Sequence, residues 1–221
     1  MLNKNSQFEQ KDGYARAPSR KAVLIYLRLK MQDLLSHIRA CTLCANHLPL
    51  GPNPVIRVSP ASRILVVGQA PGTKVHASGI PWDDLSGKEL RRWLDVDADT
   101  FYDTDYFGIM PMGLCYPGRG KSGDLPPRKE CAPTWHEQVV NKMPQIELIL
   151  LIGQYAQKYY LGKEKEPTLT ATVRKFEAFL PRFFPLVHPS PRNKIWQKKN
   201  PWFEEEVIPE LRNRVHAILK N

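Results

Sequence analysis

The sequence has no apolar run of 18 residues, only four cysteines, no internal repeat and fewer acids than bases. The first absence excludes a membrane-spanning helix read from hydropathy. The opening twenty residues are polar and lack the charged-then-apolar order of a secretory signal, so a soluble, unsecreted, cytoplasmic protein is expected, nucleoid-associated if bacterial. Without a repeat there is no solenoid. The acid shortage, 22 Asp and Glu against 32 Lys and Arg, leaves a net charge of +10 and favours an anionic partner such as nucleic acid.

What is present fits one core with a tail. Residues 1–20 carry too little apolar content to pack and are expected to form a basic, disordered arm; residues 21–221 are expected to form a single domain. Leu27, Met31, Leu34, Leu35 and Ile38 recur at helical spacing over about 22–40. A proline-rich stretch (Pro49, Pro52, Pro54, Pro60) then reads as a surface loop. Ile64 to Gly68 reads as a buried strand running into a Gly/Pro turn, Gln69 to Gly72, that neither a strand nor a helix can continue. A helix is expected over Lys88 to Leu94 with Ser86 as its N-cap, and a strand over 106–114 that ends or bulges at Pro111. Tyr116 to Arg128 reads as a basic Gly/Pro loop, and Ala132 to Met143 as a helix. Ile146 to Gly153 has the pattern of a strand buried on both faces, followed by a helix over Gln154 to Leu161. Phe183 to Val187 is a further short apolar run, and Trp202 to Leu219 a terminal amphipathic helix. Strands alternating with helices imply a three-layer α/β/α sandwich around a mostly parallel four-stranded sheet.

Two features carry chemistry. The cysteines are spaced as Cys41-x2-Cys44, then Cys115-x15-Cys131. A close thiolate pair plus two more thiolates in Gly/Pro loops is a usual supply for a four-sulfur metal site. Spacing does not separate a [4Fe-4S] cluster from Zn2+, and unconnected cysteines or a redox pair stay open. The second feature is a pair of strand-end loops, Gly68-Gln-Ala-Pro-Gly72 and His188-Pro-Ser-Pro-Arg-Asn193. In a parallel sheet both emerge on the same edge and can wall one pocket.

These loops resemble the two signature motifs of the uracil-DNA glycosylase superfamily, and more narrowly those of its iron–sulfur branches, families 4 and 5. Gly79-Ile-Pro-Trp82 resembles the G-R-P-F segment between them, Asp84-Leu-Ser-Gly87 the G-D-x-S-G of family 5, and Ile149 to Leu161 the family's strand-helix unit. The cysteines fall in the order of the cluster ligands. The resemblance implies a monofunctional DNA glycosylase of base excision repair, most simply for uracil, acting as a monomer on a base flipped out of DNA. It makes Cys41, Cys44, Cys115 and Cys131 ligands of the [4Fe-4S] cluster and His188 the donor to the base O2. Trp82 becomes the aromatic that stacks on the extruded ring, and Gln69, Ala70 and Met110 become base-side neighbours. Ser86, Ser190, Arg192 and Asn193 are the implied DNA contacts, Arg192 at the position of a wedge.

The departures from the family pattern concern acids and amides. Ala70 stands where several branches have a water-positioning Asp or Asn, and Gln69 where family 4 has an acid. Asp84 is then the candidate catalytic acid, beside Asp83, with helix capping as its plainer role and His76 as a weaker alternative. Pro111 replaces an Asn that reads the uracil edge, so a different deaminated base such as hypoxanthine is a further expectation. A catalytically weak member that binds DNA or damaged bases is the rival reading.

Overall fold

The computed structural model describes residues 19–121 and 123–220. The expected basic arm, apart from its last two residues, lies outside them. Four strands, β1 (Ile64–Val67), β2 (Phe107–Ile109), β5 (Leu148–Ile152) and β6 (Phe183–Leu186), form one sheet in the order β2-β1-β5-β6. All three pairings are parallel, so the sheet is wholly parallel. A second, two-stranded antiparallel ribbon pairs β3 (Arg119–Gly120) with β4 (Gly123–Asp124) inside the segment expected to be a plain loop.

Strand pleating divides the core. Side chains two apart point to the same face, so Ile64, Val66, Leu148, Leu150 and Ile152 join Trp93, Phe101, Phe107 and Phe184 on one side of the sheet. That layer is closed by α3 (Leu85–Leu94), α4 (Ala98–Tyr102), α7 (Leu169–Arg174) and α9 (Ile208–Lys220), whose Leu211 and Val215 are fully buried. Leu65, Val67, Ile149 and Leu151 face the other way, onto α1 (Arg20–Arg39), α5 (Cys131–Val140) and α6 (Gln154–Leu161). Two short helices, α2 (Thr73–Ser78) and α8 (Lys194–Lys199), follow the strand-end turns of β1 and β6. Helices on both faces of a parallel sheet make the three-layer sandwich that the alternating pattern implied.

Several boundaries differ from expectation for physical reasons. The helix at residue 85 begins two residues before Gly87, with Asp84 rather than Ser86 at its N-cap. The Asp84 Oδ1 accepts the Gly87 N–H at 2.8 Å, and Ser86 sits buried inside the first turn. The strand expected over 106–114 is regular only over Phe107–Ile109, although the Met110 N–H still donates to the Val66 carbonyl at 3.0 Å and the Met112 N–H to the Gly68 carbonyl; Pro111, between them, falls at a position that faces away from β1. The proline-rich stretch is not confined to the surface: Val55 and Val58 are buried, and Arg57 bridges Ile109 antiparallel to the sheet edge. The terminal helix opens with a π turn at Phe203–Val207 before α9.

β1 has β2 on one side and β5 on the other, so the chain order reverses there. That switch opens a crevice beyond the carboxyl ends of the strands, where ligands of such sheets bind.

Candidate active site

The crevice holds a pocket of about 430 Å³ including its open mouth. The turn after β1 forms its floor, from Gly68 through Gly72; Val55, Ile109 and Pro111 form a side; Trp82, Asp84 and His188 close it. The turn is held from below, because the Met112 and Gly113 N–H groups donate to the Gly68 and Gln69 carbonyls, each at 2.9 Å. Both loops that were expected to share a pocket do so.

Trp82 is the most constrained residue of the site. Its φ is +59°, a left-handed conformation rarely adopted by an aromatic residue. Two glycines make this possible. A Cβ on Gly87 would lie 1.7 Å from the Trp82 carbonyl oxygen, and a Cβ on Gly68 would lie 2.8 Å from the indole Cζ2. The preceding Pro81 is buried, and its carbonyl accepts the Tyr102 hydroxyl at 2.9 Å. The indole therefore lies over the bare floor at Gly68, with its centroid 5.6 Å from that of the His188 ring.

His188 is held through its backbone: Asn193 Nδ2 donates to the His188 carbonyl at 2.7 Å. Asn193, expected among the DNA contacts, thus points its amide into its own loop. Burial pushes the His188 imidazole below its ordinary range, while the nearby Asp84 carboxylate acts in the opposite sense. At neutral pH the ring is therefore uncharged, with one N–H to donate.

Next to the pocket runs a broader groove of about 1280 Å³ including its open side. Its lining includes Ser86, Arg119, Asp124, Ser190 and Arg192. Gln69, Ala70, Gly72, Asp84 and His188 border both cavities. Ser190 caps a single 3-10 turn, accepting the Arg192 N–H at 3.3 Å. His76 packs against Tyr116 at 6.2 Å between centroids and lies outside both linings. Asp83 is exposed.

Met110 is corrected. It is fully buried in the layer with Met31 and Leu65, whereas Ile109 and Pro111 on either side of it line the pocket. Alternation along the extended chain sends it to the opposite face. Asp124 borders the groove without having been among the expected site residues, because it lies on the ribbon inside a stretch read only as a loop. Its one signal in the sequence is a lone acid after Arg119 and Lys121.

The four cysteines converge from three places: the end of α1, the segment after β2, and the start of α5. All four line one cavity with Ile38, Leu48, Leu114, Arg128 and Trp135. The Leu114 N–H donates to Cys131 Sγ at 3.3 Å, and burial pushes the Cys131 thiol up to about 12. Among the described residues, no three Cys, His, Asp or Glu side chains close tightly enough to share one metal ion.

A wholly parallel sheet with a pocket at its switch point and an adjoining groove lined by Arg119 and Arg192 makes an α/β protein with one site at the carboxyl edge of its strands. The family model of the uracil DNA glycosylase superfamily matches residues 56–212, more than two thirds of the sequence, and the chain belongs to that superfamily. The class is that of DNA glycosylases, hydrolases of the bond between base and sugar, whose partner is DNA. The matched region includes Cys115 and Cys131 but not Cys41 and Cys44. Among the described residues no helix is long and apolar enough to cross a membrane.

Proposed function

We propose that this protein is a monofunctional DNA glycosylase that removes a deaminated base, uracil first, from a nucleotide flipped out of DNA. The observation that carries the proposal is the juxtaposition of Trp82 and His188 over the glycine floor at the switch point, with five residues shared between the pocket and the groove. In this reading the extruded base enters the pocket beside the indole, which offers a π face worth about 1–3 kcal/mol per base. Breaking the N-glycosidic bond sends an electron pair onto the base. The His188 N–H stabilises the charge that develops on the base oxygen, at a site from which burial excludes most water. The Asp84 carboxylate, at the mouth of the pocket, lies where cationic character develops on the sugar. Ser86, Ser190, Arg119 and Arg192 line the groove where the phosphates on either side would run. Among the described residues no lysine lines either cavity to form a Schiff base, in keeping with hydrolysis without strand cleavage.

Four thiols from three places in the chain line one cavity, which supports a shared group there, a [4Fe-4S] cluster first and Zn2+ as the alternative. Cys41, Cys44, Cys115 and Cys131 would hold it. When bound, the group supplies a cross-link between α1, the segment after β2 and α5 rather than chemistry on the base.

The test is base release from duplex oligonucleotides carrying uracil, hypoxanthine or xanthine, read as alkali-labile abasic sites. Release from at least one of them is expected, with uracil first. DNA binding that weakens with salt but yields no abasic site from any of the three would support the binding-only reading suggested by Ala70 and Gln69.

A further inference from the structure

Asp84 has a prior commitment, since its Oδ1 caps α3 through the Gly87 N–H. A second carboxyl group borders the same groove. The β3–β4 ribbon is closed by the Leu125 N–H to the Gly118 carbonyl at 2.8 Å and is tied to the turn after β1 by Gln69 Nε2, which donates to the Leu125 carbonyl at 3.2 Å. This sets Asp124 above the turn, so that a Cβ on Gly72 would lie 3.5 Å from Asp124 Oδ2. Gly72 is one of the five residues bordering both pocket and groove. A base in the pocket whose phosphates run in the groove has its glycosidic bond at that shared border.

We propose that Asp124 orients and deprotonates the water that attacks the sugar, a task for which Ala70 and Gln69 offer no acid. The proposal rests on the glycosylase reading above. The C1′–N bond breaks with its electron pair leaving on the base, which is held as an anion by the His188 N–H and later protonated by solvent. The water oxygen bonds to C1′, and its proton passes to the Asp124 carboxylate, which returns it to solvent. The charged groups facing Asp124 are Arg192 in the turn after β6, Arg119 on β3, and Asp84 at the head of α3. Burial, and to a lesser extent the Asp84 carboxylate, push the Asp124 carboxyl above its ordinary range; Arg192 and Arg119 act against them. A carboxylate so placed is a stronger proton acceptor than a free one. It must be ionised to act, so the rate should rise with pH as Asp124 loses its proton.

The test is single-turnover base release by the full chain, comparing wild type with Asp124→Asn and Asp124→Glu on the base that wild type releases best. Asp124→Asn should slow release by about 100-fold, keep DNA affinity within ~3-fold and flatten the acid limb of the pH profile. Asp124→Glu, which keeps the charge and guards against a mere loss of folding, should recover part of the rate and retain the limb. An Asp124→Asn rate near that of wild type, or an acid limb unchanged in it, would overturn this inference alone. Failure of wild type to release any of the three bases would overturn the glycosylase reading and this inference with it.

Discussion

The strand-end pocket and the cysteine cavity share a wall yet are held together by different means. The segment 110–115 runs between them: Pro111 faces the pocket, while Gly113, Leu114 and Cys115 face the cavity. The pocket is supported by protein alone, through the ladder-like bonds from Met112 and Gly113, the glycine approaches beneath Trp82 and the Asn193 amide behind His188. The cavity is tied differently: its cysteines come from elements far apart in the chain, and its contacts include the Leu114 N–H to Cys131 Sγ, the Val55 N–H to the Leu114 carbonyl at 2.7 Å and the Arg128–Glu130 ion pair at 3.0 Å. On the proposed reading, a group bridging the four thiols would add a cross-link at the cavity that the pocket does not need. A group bound there would stiffen the pocket wall without touching the base.

The largest expected effect tests that contrast directly. Replacing Cys41 and Cys44 together by serine should cost a large share of a net stability of about 5–15 kcal/mol and abolish the visible sulfur-to-iron absorbance of anaerobically purified protein. Chemical denaturation and the absorption spectrum check it. An unchanged unfolding midpoint would show the cavity to be as self-supporting as the pocket.

His136 sharpens the comparison at the shared wall. It is buried on α5, within hydrogen-bond reach of the Pro111 carbonyl through Nε2 at 3.1 Å and the Tyr160 hydroxyl through Nδ1 at 2.9 Å. Burial pushes its pKa down from 6.5 to about 4. Because the folded state holds it neutral, the unfolded chain binds its proton first as the pH falls. Stability from this residue is thus complete above pH 6.5 and is lost between 6.5 and about 4, by roughly 3 kcal/mol. Denaturation at pH 7 and pH 4 should show this extra acid loss in wild type and a shallower one in His136→Gln. Equal slopes in the two proteins would remove His136 from the account of that wall.

A smaller effect is expected from Trp82→Ala, which removes the stacking face but leaves the His188 loop. It should weaken binding of DNA containing the target base by about 1–3 kcal/mol while undamaged DNA binds as before. Equal weakening on both would mean that the indole acts only as a filler over Gly68.

Much of the frame was legible in the sequence. β5 and α6 could be read from Ile146 to Leu161 because an unbroken apolar run closed by Gly153 has few other uses in a chain of alternating elements. The strand-end loops could be placed on one edge because parallel strands leave no other choice. Three features were not legible. The ribbon over 119–124 has neither apolar alternation nor a two-residue turn signature, so Asp124 had no visible partner. Met110 was assigned to the pocket by its nearness to Pro111, although strand alternation turns it away. The expected cap fell two residues late because Asp84 and Ser86 are both good capping residues, and only the observed bond from the Gly87 N–H to Asp84 Oδ1 separates them.

The central claim is that the strand-end pocket receives the base and that His188 stabilises it as it leaves. Its most direct measurement is single-turnover release of uracil by wild type and His188→Ala, alongside DNA affinity. The account predicts abasic sites with wild type, and a rate about 10²–10³-fold lower in the variant at nearly unchanged affinity. Equal losses in rate and affinity, or release unaffected by the substitution, would contradict it.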